Sequence, residues 1–388
     1  MERMLHGNPK DWPSHFFLNA SKVGVMASTP DLVDYLRKAR TLGASDVHVA
    51  VGAPPAARVD GVLHPLDEYD VTAEISKDLV FGILTEAQRA RLEEELELDF
   101  ALEVEGTGRY RGNAHYARRC VEASFRYISE EVPSLEKLGH GDPVKDLCKA
   151  RQGLVLVTGI TGSGKSTTIA SMIKKISEER SCVIITIEDP IEFVFDHSYG
   201  LVKQREVGND SHSFSDALRA SLRQDPDVIV VSEMRDLETI RTAITAAETG
   251  HLVISTVHTM DAPKTLDRLI DVFPAEQQPQ VITQLANALV GIVSQRLLPA
   301  KSGKGRVLAS EIMKNTHPIA SVIRDQKFAQ LPGLIQISSK DGMHTMDDSL
   351  IYLARMNAIS AEEAIANAKE KAYVQRELVT DSGTQKPR

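Results

Sequence analysis

An apolar run followed by a glycine-rich loop constrains the fold of this chain more than any other feature. Residues 154–167 read LVLVTGITGSGKST, where Gly159, Gly164, Lys165 and Ser166 match the spacing G-x-x-x-x-G-K-[ST]. The glycines let backbone N–H groups surround phosphates, the lysine reaches the outer phosphates, and the hydroxyl ligates Mg²⁺. A helix-compatible sequence after the loop completes the strand–loop–helix context. The motif therefore predicts that the chain binds a nucleoside triphosphate.

The same loop supplies most of the candidate nucleotide contacts. We expect its backbone N–H groups and hydroxyls to surround the phosphates at the start of the following helix, with Ser166 also on the metal ion. The predicted nucleotide-binding residues are Gly159, Thr161, Gly162, Ser163, Gly164, Lys165, Ser166 and Thr167.

Four short, β-branched runs from residue 154 onward predict a mainly parallel sheet. They read LVLVT, VIITIE, VIVVS and LVISTV, and strands of this composition are buried on both faces. Helical segments separate the runs, which is typical of an α/β fold. Residues from Pro279 onward are expected to be mostly helical. The predicted α/β domain covers residues 140–379, followed by a disordered tail at 380–388.

Polar residues follow three of these strands, at the edge of the sheet where ligands bind in open parallel folds. Glu188 and Asp189 follow the second strand, Glu233 the third and His258 the fourth. A carboxylate after a strand also serves as a helix cap or as an exposed loop group. Because all of them share an edge with the lysine loop, the sequence favours a catalytic site.

Phosphoryl transfer to water needs a metal ion, a charge clamp and a group that orients the water. Glu233 is predicted to orient this water or to accept its proton. Glu188 and Asp189 are predicted to hold Mg²⁺ directly or through bound water, which also makes Glu188 a catalytic candidate. His258 is expected to sense the γ-phosphate. His251 lies at the other end of its strand, where a packing role is expected.

A smaller α+β domain is predicted before the sheet, at residues 30–139. It contains helical segments, a hairpin around Gly61 and three antiparallel strands, and a disordered extension at 1–29 precedes it. The net charge of −9 disfavours stable binding to nucleic acid. Three widely spaced cysteines indicate a reducing compartment. No apolar stretch approaches the roughly 18 residues of a membrane-spanning helix.

Together these segments resemble the secretion and pilus motor ATPases, in particular the PilT group of type IV pilus retraction motors. The resemblance runs from about Pro30 to near Lys371. It rests on four motifs in a specific order, similar to the family's Walker A, Asp box, atypical Walker B and His box: GITGSGKST, TIEDPIEF, SEMRDLETI and AETGHLVISTVHT. The resemblance implies a RecA-like P-loop NTPase domain after a PAS-like domain.

The resemblance also implies an activity and partners. Members of the PilT group are homohexameric rings that hydrolyse ATP with Mg²⁺. The resemblance implies that this hydrolysis drives pilin disassembly in twitching motility. They act in the cytoplasm, at the inner membrane through a pilus platform protein, and a paralogous pilus ATPase is a further candidate partner. Arg109 and Arg111 match the arginines of the family's RFRVN segment, and Arg126 falls in the matching strand FRYI. These three arginines are carried over as catalytic charge clamps.

Two departures leave alternatives open. The family's AIRNLIRE segment reads PIASVIRD here, which allows an accessory, PilU-like ATPase that binds a principal motor. Ser232 stands where the family usually has glycine. Extension motors commonly carry a four-cysteine metal module, which a chain with three cysteines cannot form, so retraction is favoured over extension. A nucleic-acid translocase is the least favoured alternative, since no basic tract with interleaved aromatic residues is present.

Overall fold

The computed structural model describes residues 31–59, 61–128 and 131–382. The chain forms two compact units, one ending at Glu130 and the other beginning at Glu131. The predicted extension at 1–29 lies outside the described residues, and so do residues 383–388 of the predicted tail. Within the described residues, no helix is long and apolar enough to span a membrane.

The first unit contains one antiparallel sheet of six strands in the order β3-β2-β1-β6-β5-β4. The predicted hairpin around Gly61 is confirmed as the turn between β2 and β3, and the three predicted antiparallel strands are β4, β5 and β6. The elements are α1 (Leu32–Thr41), β1 (Asp46–Val49), β2 (Ala56–Val59), β3 (Val62–Pro65), α2 (Ala73–Ile83), α3 (Glu86–Glu95), β4 (Glu97–Val104), β5 (Gly108–Ala117) and β6 (Cys120–Ile128).

The second unit is an α/β fold around a sheet of seven strands in the order β13-β12-β7-β11-β10-β8-β9. All neighbouring strands are parallel except β12 and β13. The elements as far as the strand before the C-terminal helices are α4 (Asp142–Cys148), β7 (Gly153–Thr158), α5 (Lys165–Glu179), β8 (Val183–Glu188), β9 (Leu201–Glu206), α6 (Phe214–Ser221), β10 (Val228–Val231), α7 (Leu237–Glu248), β11 (Leu252–Val257), α8 (Ala262–Asp271), α9 (Gln278–Ala288), β12 (Leu289–Pro299) and β13 (Arg306–Lys314).

Helices complete the second unit. They are α10 (His317–Arg324), α11 (Leu331–Ile337), α12 (Met346–Arg355), α13 (Ala361–Asn367) and α14 (Lys371–Ser382), with short 3-10 turns at Phe328–Gln330 and Ser339–Asp341. The second unit already includes Leu135, which packs with Val144 in its core, whereas the sequence placed the domain boundary at residue 139.

Alternating residues of β7 explain why the central strands read as continuous apolar runs. Leu156 packs in a core layer with Ile240 of α7, on one face of the sheet. Val157 packs in a second core layer with Ile173 of α5, on the other face. Because side chains alternate along a strand, a strand covered on both faces needs apolar residues at every position.

One expectation is wrong in the C-terminal part of the sheet. The run VITQLANALVGIVSQRLL was expected to be helical, but the helix ends at Ala288 and β12 follows at once. Strand β12 pairs with β7 on one side and with β13 on the other. A short apolar run fits a buried helix or a buried strand equally well, so its hydrogen-bonding partners decide between them.

Candidate active site

The phosphate loop lies between the end of β7 and the start of α5, where the motif predicted it. Gly159 has a φ of +146°, and a Cβ at this position would lie 2.4 Å from the backbone oxygen of Gln295 and 2.4 Å from Oγ of Ser163. Only glycine therefore fits at this position. The neighbouring strand β12 thus helps to shape the loop.

Lys165 is the first residue of α5, and its side chain is buried against the phosphate loop. Its Nζ donates hydrogen bonds to the backbone oxygens of Gly159, at 2.9 Å, and Ile160, at 3.1 Å. Burial lowers the pKa of Lys165, while the charges of Glu233 and Glu192 oppose this shift. The ammonium group is therefore held by carbonyl oxygens in a place suited to an anionic ligand.

Two polar atoms at the loop are buried without a hydrogen-bond partner in the described part of the chain. They are Oγ of Ser163 and Oε1 of Gln295. The Gln295 side chain also donates from Nε2 to the backbone oxygen of Ser163, at 2.8 Å. A buried hydroxyl without a partner costs free energy unless a ligand or a water supplies the missing hydrogen bond. The Ser163 hydroxyl can therefore donate to a phosphate oxygen.

The other predicted loop contacts lie where a nucleotide could reach them. Thr161, Gly162 and Ser166 are exposed, and Thr167 is half-buried. Ser166 is in the first turn of α5, where the backbone N–H groups and the helix dipole favour an anion such as phosphate.

The predicted residues Glu233 and His258 are brought together at the carboxyl ends of neighbouring strands. Nε2 of His258 lies 3.2 Å from Oε1 of Glu233, and Nε of Arg235 lies 2.6 Å from the same oxygen. Burial alone would raise the pKa of Glu233, but the hydrogen bond and charge of Arg235 and the charge of His258 lower it below its usual value. Glu233 is therefore an anion at neutral pH.

Glu188 ends β8 as predicted and is surrounded by donors. Its Oε1 accepts from Oγ1 of Thr186, at 2.6 Å, and from Nε2 of Gln204, at 3.0 Å. Its Oε2 lies 3.4 Å from the backbone nitrogen of Glu192. Burial raises the pKa of Glu188, although these hydrogen bonds act in the opposite direction. Asp189, by contrast, is exposed.

Gln204 of β9 was missed by sequence reasoning. In addition to Glu188, its Nε2 contacts the backbone oxygen of Phe193 at 2.7 Å, and its Oε1 accepts from the backbone nitrogen of Phe195 at 3.0 Å. One amide therefore orders both the carboxylate and the loop that follows it. The segment that forms β9 carries charged residues, so no apolar run marked it as a strand.

His251 lies at the opposite end of β11 from His258. Its Nδ1 lies 3.0 Å from the backbone oxygen of Ala246 at the end of α7. This contact agrees with the packing role expected for His251.

The three predicted arginines lie in the first unit. Arg111 of β5 and Arg126 of β6 are register partners, and Arg109 lies two residues before Arg111. Nε of Arg126 lies 2.9 Å from Asp46, and Nη2 of Arg111 lies 4.0 Å from Asp99. Their role as charge clamps remains a prediction.

The model of the type II/IV secretion system protein family matches residues 27–384. The chain belongs to the type II/IV secretion system protein family. It is 47% identical over 349 residues to the type IV pilus retraction ATPase PilT of Pseudomonas aeruginosa, covering 89% of this chain and 98% of the relative. The type IV pilus ATPase PilU of the same organism is 39% identical over 326 residues, covering 84% of this chain and 85% of the relative.

A solved member of the family has the same fold. The crystal structure of the pilus retraction motor PilT with bound ADP has a TM-score of 0.85 and 46% identity, and the match covers 89% of this chain and 99% of that one. These matches confirm the predicted family, the α/β fold class with its smaller first domain, and the ATPase class.

Proposed function

We propose that this protein is an ATP-hydrolysing motor that drives type IV pilus retraction, and hence twitching motility. The observation that carries the proposal is the contact of Glu233 with His258 at the sheet edge that also holds the Lys165 loop. The 47% identity to a relative named as a retraction ATPase supports the choice of retraction among the family's functions.

The loop residues are proposed to bind the ATP phosphates. Lys165 would exchange its two carbonyl contacts for phosphate oxygens, and the unpaired hydroxyl of Ser163 would donate to one. The remaining proposed contacts are Gly159, Thr161, Gly162, Gly164, Ser166 and Thr167.

The donor set at the site fits Mg²⁺, which prefers oxygen ligands. Ser166 offers an exposed hydroxyl, and Asp189 offers an exposed carboxylate. Both oxygens of Glu188 already accept hydrogen bonds, which favours contact through a bound water over direct ligation. When bound, the ion neutralises charge on the phosphates.

Glu233 is proposed to orient the attacking water. A base that removes a proton works best with a pKa near the working pH, whereas the pKa of Glu233 is lowered. The anionic carboxylate therefore suits a hydrogen bond from water more than full proton removal. His258, held at 3.2 Å, would respond to the terminal phosphate and to Glu233 together.

Assembly and partners are proposed from the family. We propose a homohexamer in the cytoplasm that acts on a pilus platform protein at the inner membrane. Arg109, Arg111 and Arg126 would supply positive charge to a nucleotide as the smaller, PAS-like domain moves. No stable partnership with nucleic acid is proposed, consistent with a net charge of −9.

An accessory role beside a principal pilus ATPase is the second candidate. It is favoured by the altered segment PIASVIRD, most of which forms α10, and by the relative named PilU at 39% identity. The two roles require the same active site. They differ in whether this protein drives retraction without a second pilus ATPase.

The test has a biochemical part and a cellular part. The purified chain should hydrolyse ATP with Mg²⁺, Lys165→Ala should abolish turnover, and Glu233→Gln should lower it by about 10²–10³. Expression in a piliated bacterium that lacks both its PilT and PilU relatives should restore twitching. Restoration only when a PilT relative is present would establish the accessory role. Absence of turnover, or strong stimulation by DNA at physiological salt, would contradict both.

A further inference from the structure

A closed set of polar contacts joins the segment after β11 to the C-terminal helices. Glu311, on β13, is buried with 5% exposure in the middle of this set. Its Oε1 accepts a hydrogen bond of 2.8 Å from the backbone nitrogen of Ala262, the first residue of α8. The carboxylate also accepts from the backbone of Met346, the first residue of α12. One carboxylate therefore caps two helices.

The start of α8 needs this cap. Pro263 has no N–H group, and Asp261 accepts from the backbone nitrogen of Lys264 at 2.9 Å. The N–H group of Ala262 would otherwise be buried without an acceptor, and in the part of the chain that the structure describes its acceptor is Glu311. Because His258 lies just before Asp261 in the chain, the position of the α8 start also sets the course of the segment that carries His258.

Asp347 and Lys369 close the set. Asp347, in the first turn of α12, accepts from the backbone nitrogens of Lys369 and Glu370, each at 2.8 Å. Nζ of Lys369 then lies 3.3 Å from Oδ2 of Asp261. The contacts thus run from Asp261 and Ala262 through Glu311 to α12, and return through Lys369 to Asp261.

We propose that Glu311 is a positioning residue for ATP hydrolysis: it holds the segment from His258 to Ala262 in register with α12. Movement of the C-terminal helices and movement of His258 are then coupled through one carboxylate. This proposal rests on the proposed ATPase function for its kinetic consequence, and on the contacts themselves for its structural consequence.

The ionisation of Glu311 adds a readout that packing alone would not give. Burial and the nearby Asp261 raise the pKa of Glu311 to about 7, while Lys369 and the two backbone N–H groups oppose the shift. An ionised carboxylate accepts strongly from both helices, and a protonated one donates from one oxygen. Turnover should therefore fall as the pH drops through about 7.

The test compares the full chain with Glu311→Gln, which keeps the shape and removes the charge. Turnover at pH 8 should fall about five- to tenfold with the KM for ATP within twofold, as expected for a lost charged cap near the site. The part of the fall in kcat between pH 8 and pH 6 that protonation of Glu311 causes in the unaltered protein should be absent from Glu311→Gln. Hydrogen exchange should rise in peptides covering residues 258–266 and 346–352. Glu370→Gln, at a neighbouring exposed position, is the matched control.

Stability separates positioning from a structural role. The pKa of Glu311 is raised, so its charge costs stability above pH 7, and Glu311→Gln should not lower the Tm at pH 8. The proposal would be overturned if Glu311→Gln left both kcat and hydrogen exchange unchanged. It would also be overturned if hydrogen exchange rose in residues 346–352 but not in residues 258–266. If Glu311→Gln fails to fold, Lys369→Met opens the set at its more exposed end and should raise exchange in the same peptides. If the unaltered protein has no turnover, the proposed function fails, while hydrogen exchange still decides this inference.

Discussion

Oε1 of Glu233 is shared between Nε2 of His258, at 3.2 Å, and Nε of Arg235, at 2.6 Å. Both partners follow Glu233 in the chain: Arg235 lies two residues beyond it, and His258 lies just after the end of β11. They hold the carboxylate as an anion at the edge of the sheet where the phosphate loop begins. Activity is therefore expected to depend on the position and charge of the Glu233 carboxylate.

Replacement of Glu233 should separate binding from hydrolysis. We expect Glu233→Gln to lower kcat by about 10²–10³, the range for loss of one preorganised group at the reaction centre. Binding of ADP should stay within a few fold, because the phosphate loop is intact. Steady-state hydrolysis and equilibrium titration measure the two effects. Glu276→Gln, at an exposed position, is the control, and equal loss of binding in Glu233→Gln would contradict the assigned role.

Replacement of Lys165 should act on binding instead. Lys165→Met removes the ammonium group that spans Gly159 and Ile160. We expect ADP to stabilise the unaltered protein against heat, and Lys165→Met to lose this stabilisation and to bind ADP at least tenfold more weakly. Differential scanning fluorimetry with and without ADP measures this. Lys340→Met, at an exposed position, should behave like the unaltered protein.

Gln204 should matter for both stability and turnover. Gln204→Leu removes the donor to Glu188 and leaves the backbone groups of Phe193 and Phe195 without their amide partner. We expect a loss of about 1 kcal/mol or more in the free energy of unfolding, because these partly buried polar groups lose a hydrogen-bond partner. A fall in kcat should accompany it because Glu188 loses its orientation. Gln204→Glu, which keeps the acceptor for Phe195, should retain part of the stability and repel Glu188.

His140 should make the second unit sensitive to acid. It is buried with Nε2 at 3.0 Å from Oγ1 of Thr168, and burial, with the charge of His344, lowers its pKa to about 4. The unfolded chain then binds a proton near pH 6.5 and the folded protein does not, so stability falls as the pH drops from 6.5 to 4. The expected loss is about 3 kcal/mol.

Thermal denaturation at pH 7 and pH 4.5 measures this effect. His140→Leu should lose less stability than the unaltered protein across the same interval, even if it starts from a lower value. An equal pH dependence in both proteins would show that His140 does not titrate in this range.

Much of the site was predictable because the polar residues follow apolar strands in sequence. Once parallel strands are inferred, their carboxyl ends must meet at one edge, so Lys165, Glu188, Glu233 and His258 follow from their positions alone. The roles of Gln204, Gln295 and Glu311 were not predictable in this way. Gln295 and Glu311 contact residues far away in the chain, and Gln204 contacts the neighbouring strand and the loop before its own strand. A polar residue inside a strand carries no sign of its partner.

The sequence by itself determined the phosphate-loop motif, the central strands and the family, because each depends on local spacing and on apolar patterning. The tertiary structure decided that residues 289–299 form a strand, because this run pairs with β7 on one side and with β13 on the other. It also decided which oxygen of Glu233 meets His258 and which helices Glu311 caps. Those contacts depend on the three-dimensional path of the chain, which spacing along the sequence does not contain.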